Sequence, residues 1–84
     1  STAVEVAIKM ALQFWHNKGQ VRNTIIAFEN AYHGDTFGSM SVGARNVFSA
    51  AFERHLFQVK TIPLPVRGEE EKTITAFKTI LQEE

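Results

Sequence analysis

"TIIAFENAYHGDTFGSMSVG", residues 24–43, decides how the rest of the chain is read. Residues 24–29 form a short apolar run, partly β-branched, as expected of a parallel strand covered on both faces. Residues 30–34 leave the strand as a loop. The carboxylate of Asp35 is placed to cap a short helix over residues 35–42, and Gly43 to end it. A strand that empties through a loop into a helix start is the building unit of an α/β layer.

Upstream, residues 2–18 read as a helix. Thr2 and Glu5 have capping-box spacing, with the hydroxyl reaching forward and the carboxylate reaching back. Val4, Ala7, Ile8, Ala11, Leu12 and Trp15 make one apolar stripe. Val6, Met10 and Phe14 widen that stripe, so the helix is expected to be covered on more than one side. Glu5 and Lys9 have the spacing of a helix-surface ion pair. Gly19 is the expected stop.

Downstream, residues 47–54 read as one or two helical turns with Val47, Phe48, Ala51 and Phe52 inward. Residues 57–62 alternate apolar and polar as a second strand, and Pro63 and Pro65 mark its end. Residues 69–83 read as an amphipathic helix with Ile74, Phe77, Ile80 and Leu81 inward. The acidic run 69–71 lies at its start, where the dipole favours negative charge. Helix, strand, short helices, strand, helix predicts an α/β layered fold with a mostly parallel sheet. Two strands alone leave unpaired edges that invite association. Partner strands are therefore expected elsewhere in a longer chain. Residues 1–84 read as a single, incomplete segment that self-associates or stays partly molten by itself.

Composition sets outer limits. The 84 residues suffice for one small domain, and 44% apolar content is too high for a disordered chain. A formal net charge of zero provides no field to steer the chain to nucleic acid or an acidic membrane. With no cysteine there are no disulfides and no thiolate metal sites within these residues. No apolar run approaches the roughly 20 residues that span a bilayer. A cytosolic (cytoplasmic) protein is the expectation.

Gly38 and Gly43 have the outer spacing of a phosphate-binding loop, but Ala44 and Arg45 follow where Lys and Ser or Thr are needed. His33, Asp35, Ser39 and Ser41 lie close in sequence without the G-x-S-x-G turn that exposes a nucleophile. Helix capping accounts for them. His16, His33 and His55 are too scattered for a metal site, so none is expected. A ligand platform is the remaining functional reading. Ligands of open α/β sheets gather beyond the carboxyl ends of strands. Tyr32 offers a flat ring with a polar tip there, and Gly34 permits a close backbone approach. Ser1 and Thr2 stand at a helix start, where free amides favour an anion. A phosphate site beside a stacking ring suits a phosphorylated aromatic cofactor. Capping and turn formation explain the same residues without a ligand.

"STAVEVAIKMALQFW" at 1–15 and "IIAFENAYHGDTFGSMSVG" at 25–43 together resemble the large domain of class III aminotransferases, pyridoxal-phosphate enzymes of fold type I. The likeness is strong over 1–43 and thin over 44–84. It implies a three-layer αβα fold of which this chain is part of the cofactor-binding large domain. It implies pyridoxal 5'-phosphate as cofactor and a homodimeric parent enzyme. Ser1 matches the serine of a Gly-Ser pair that binds the cofactor phosphate, the glycine of which would precede residue 1. Tyr32 matches the aromatic that packs by the pyridine ring and lines the substrate pocket. His33 and Gly34 match neighbours that shape the loop.

Other members usually carry Arg at the position of Asp35. "YHGDT" is thus most similar to the subgroup that takes S-adenosylmethionine as amino donor and 8-amino-7-oxononanoate as acceptor, in biotin synthesis. The family's lysine that bonds the cofactor, and the aspartate paired with its ring nitrogen, lie downstream. No catalytic residue is expected in this segment, and Lys9, Lys18, Lys60, Lys72 and Lys78 read as solvated. The segment alone is expected to be inactive. A class III enzyme with another donor, or a small non-catalytic α/β interaction module, are the competing expectations.

Overall fold

The computed structural model describes residues 1–83. In chain order it contains helix α1 (Thr2–Asn17), strand β1 (Ile26–Phe28), helix α2 (Phe37–Val42), a 3-10 turn (Ala50–His55), strand β2 (Lys60–Ile62) and helix α3 (Glu70–Glu83). The two strands are parallel, with Ile26 opposite Lys60, Ala27 opposite Thr61 and Phe28 opposite Ile62. Glu29 N–H donates to Ile62 O at 2.9 Å, and Lys60 N–H to Ile25 O at 2.9 Å. Helix α1 packs on α2, and α3 on β2. The expected α/β alternation and parallel pairing are present. Both strands are shorter than the segments expected at 24–29 and 57–62, because each is paired only along three residues of the other.

The end of α1 follows from one residue. Gly19 takes a left-handed φ of 72°. Its N–H donates to His16 O and that of Gln20 to Trp15 O, both at 3.0 Å. This paired closure satisfies the last carbonyls of the helix, and glycine adopts it without a Cβ penalty. Gly43 likewise ends α2, with its N–H donating to Met40 O.

Both predicted N-terminal caps are corrected. Ser1, not Thr2, holds the N-cap position of α1, and makes no side-chain capping bond there. Thr36, not Asp35, is the N-cap of α2, again without a capping bond of its own. The cap of α2 arrives from α1: Ser39 N–H donates to Glu5 Oε1 at 3.0 Å, and the Thr36 hydroxyl donates to the same oxygen. Glu5 therefore closes another helix instead of reaching back along its own.

The apolar core is thin. Among the described residues, Val42, Leu56, Ile62 and Ile80 are the buried apolar side chains. A radius of gyration of 13.9 Å exceeds the roughly 12 Å of a compact domain this long. No residue of α1 is buried. Val4, Ile8 and Trp15 are half-buried, while Ala7, Ala11 and Leu12 stay exposed with Val6, Met10 and Phe14. The inward face of α3 is also corrected. Thr73 and Ile80 are buried and Ala76 half-buried, while Ile74, Phe77 and Leu81 are exposed. Thr73 belongs inside because its hydroxyl donates to Pro63 O at 2.9 Å just past β2. Val47 and Phe48, expected inward, are 82% and 84% exposed. They precede the 3-10 turn, so no helical face carries them inward. Ala51 and Phe52 are exposed as well.

The crossover from β1 to β2 is held by polar bonds. Ala44 N–H donates to Ala31 O at 2.7 Å. Ser41 Oγ donates to Phe37 O at 2.7 Å and accepts Phe57 N–H at 3.1 Å. Arg45 Nη2 donates to the carbonyls of Ser41 and Phe57, at 3.2 and 2.9 Å. These bonds seat the loop after β1, which carries Tyr32.

Candidate functional site

The loop after β1 begins with Asn30 at φ 59°, a left-handed position that asparagine tolerates better than most residues. It opens onto a cavity of about 710 Å³. Tyr32, His33, Gly34 and Asp35 form one side of its wall, with Ser39, Met40, Asn46 and Phe52 among the rest. The Tyr32 side chain is 71% exposed, so its ring is free to meet a flat partner.

Asp35 acts on Tyr32 rather than on α2. Interaction with the Asp35 carboxylate, followed by desolvation and that carboxylate's charge, raises the Tyr32 pKa above its ordinary value.

The start of α1 leans on the same loop. Asp35 N–H donates to Ser1 Oγ at 3.1 Å, and Ser39 Oγ lies 3.2 Å from Ser1 O, to which it donates. Gly34, at φ 126°, makes the approach possible: a Cβ there would overlap Ser1 Oγ and lie 2.7 Å from Ser1 Cβ. Ser1 and Tyr32 thus meet the same short loop, but Ser1 lies behind Gly34 and Asp35 and is not part of the cavity wall.

The donor set suits a phosphorylated aromatic group. Ser1 Oγ accepts from Asp35 and keeps its own proton to give to an anion, beside the free amides of a helix start. Tyr32 supplies an exposed ring nearby. No lysine lines the cavity. Lys72 pairs with Glu69 at 2.9 Å and Lys60 with Glu83 at 3.3 Å, both away from it.

Other sequence candidates take structural roles. Ser39 and Ser41 are fully buried, and each hydroxyl is engaged with a backbone carbonyl, Ser1 O and Phe37 O. His33 lines the cavity; His16 and His55 are exposed, with the His55 ring 6.3 Å from that of Phe37. Sequence reasoning missed that Glu5 ties α1 to the start of α2. Its partners lie 31 and 34 positions away, beyond any local spacing rule.

Comparison with known proteins shows the family of the chain. The family model "Aminotransferase class-III" matches residues 1–84. The chain belongs to the class III aminotransferase family, whose members in general depend on pyridoxal phosphate. It is 58% identical over 76 residues to an adenosylmethionine-8-amino-7-oxononanoate aminotransferase of Synechococcus elongatus, covering 90% of this chain and 18% of that protein. The enzyme of the same name from Geobacter sulfurreducens is 47% identical over 66 residues, covering 77% of this chain and 15% of that protein.

Among solved structures, the enzyme of that name from Methanocaldococcus jannaschii matches with a TM-score of 0.79 at 35% identity, over 93% of this chain and 18% of that one. The fold is thus that of the corresponding α/β part of a fold type I enzyme. The chain spans less than a fifth of the length of these relatives.

Proposed function

We propose that this chain is part of the cofactor-binding large domain of an aminotransferase. The enzyme moves an amino group from S-adenosylmethionine to 8-amino-7-oxononanoate, giving the diamine used in biotin synthesis. The observation that carries this reading is the exposed Tyr32 ring over a cavity beside the α1 start, in a chain with several relatives of one enzyme name. Ser1 and the first α1 amides would hold the phosphate of pyridoxal 5'-phosphate. Tyr32 would pack beside the ring and line the substrate pocket. Such a cofactor supplies the electron sink that amino transfer needs. His33 and Gly34 shape the wall and hold no reacting proton. The family resemblance also supports a cytosolic homodimer.

The test uses the full-length protein. Ser1→Ala is expected to weaken cofactor affinity about tenfold, as for one lost hydrogen bond to a charged group. Tyr32→Phe, which keeps the ring and loses the hydroxyl, is expected to lower turnover more than affinity. If both variants match wild type in turnover and cofactor affinity, the reading is overturned. Replacing S-adenosylmethionine by other amino donors checks the donor, and equal activity with another donor would reassign it.

A further inference from the structure

The proposed site has two halves on different elements: the start of α1 and the loop after β1. Something must fix their separation, because a ligand spanning both gains from each only if the spacing is held. Ser1 provides one tie, through the Asp35 amide. One tie at the end of a chain segment acts as a hinge.

Glu5 provides the second, one turn along α1 from Ser1. Its Oε1 accepts from the Thr36 hydroxyl and from Ser39 N–H at 3.0 Å. These bonds, the Thr36 hydroxyl first, hold the carboxyl below its ordinary pKa. Gly38 completes the seat: a Cβ there would run into the carboxylate, 2.7 Å from Oε1. Ser39, the residue Glu5 grips, is fully buried and bonded back to Ser1 O. Two ties one helical turn apart fix both distance and angle.

We propose that Glu5 is a positioning residue, setting the separation between the α1 start and the Tyr32 loop so that one ligand engages both. This rests on the functional reading above and extends it. Glu5 is not part of the wall of the Tyr32 cavity and is not a catalytic residue. What it supplies is reach. Glutamine keeps that reach and one acceptor oxygen, whereas aspartate keeps the charge and falls one methylene short.

The experiment compares Glu5→Asp and Glu5→Gln with wild type in the full-length apoprotein, with three readouts: affinity for pyridoxal phosphate, affinity for inorganic phosphate, and amide exchange over residues 34–39. Glu5→Asp is expected to weaken pyridoxal phosphate about tenfold and to leave inorganic phosphate within about twofold. It should also speed exchange at 34–39 about tenfold, while that of β1 and β2 stays at the wild-type rate. Glu5→Gln should restore most of each loss.

Equal weakening of both ligands would reduce Glu5 to general stability and overturn the inference, as would unchanged exchange at 34–39. A wild-type protein that binds no pyridoxal phosphate sinks the functional reading instead. The exchange comparison then decides the role of Glu5 in holding the loop independently.

Discussion

Two regions of this molecule are ordered by opposite means. Around residues 34–39 the chain is tied by polar groups: Ser1, Glu5, Thr36 and Ser39 exchange hydrogen bonds over two elements, and Ser39 is sealed from water. On the outer faces of α1 and α3 the side chains are apolar and have little to touch. Met10 is 67% exposed, and Phe14 and Leu81 also stand in solvent. Hydrogen bonds are directional and fail with small displacements, whereas apolar burial scales with area and tolerates sliding. The first region therefore specifies a geometry by itself. The second provides apolar area without a surface to bury it on.

The largest test of this contrast is Gly34→Ala. The backbone there is left-handed and the new methyl meets Ser1. Strain and overlap together are expected to cost about 3 kcal/mol, read from chemical denaturation. A loss below about 1 kcal/mol would show that the polar junction is loose.

A smaller effect is expected from acid. Glu5 has a pKa below its ordinary value because it accepts bonds as the anion. A lowered folded pKa means that the unfolded chain takes the proton first. The stabilisation is complete above the ordinary glutamate range and is lost as pH falls through the lowered value. Glu5→Gln should flatten the acid limb of the stability curve. The carboxylate is partly solvated, so the change is moderated by water. An acid limb identical to wild type would remove Glu5 from the junction.

The smallest effect is expected on the outer faces. Met10→Gln and Phe14→Gln in the isolated 84-residue chain should change its stability by less than about 0.5 kcal/mol, while reducing self-association in sedimentation. A loss above about 2 kcal/mol would mean that these faces are already buried in that chain.

The sequence made legible what depends on neighbours in the chain. The stop at Gly19, the end of α2 at Gly43, the parallel pairing and the loop bearing Tyr32 all follow from local chemistry. The capping of α2 was not legible. Asp35 and Thr2 satisfied the local rules, yet Ser1 holds the N-cap position of α1 and Glu5 caps α2 from across the fold. The face of α3 was misread for a related reason. Hydrophobicity selected Ile74, Phe77 and Leu81, but a carbonyl at Pro63 brought Thr73 inward. Val47 and Phe48 follow the same lesson, since apolar character alone does not supply something to pack against.

The bond between Glu5 and Ser39 joins positions 34 apart, and that separation has a kinetic side. Closing a loop of this length costs about 3 kcal/mol beyond a constant before any contact forms. Local helices relax in about a microsecond or less and need no such closure. During synthesis Ser1 and Glu5 are made before residues 34–39 exist to receive them. The first turn of α1 must therefore wait, its carboxylate solvated, for a partner that the ribosome delivers later. The geometry of the cavity is settled only when that delayed meeting takes place.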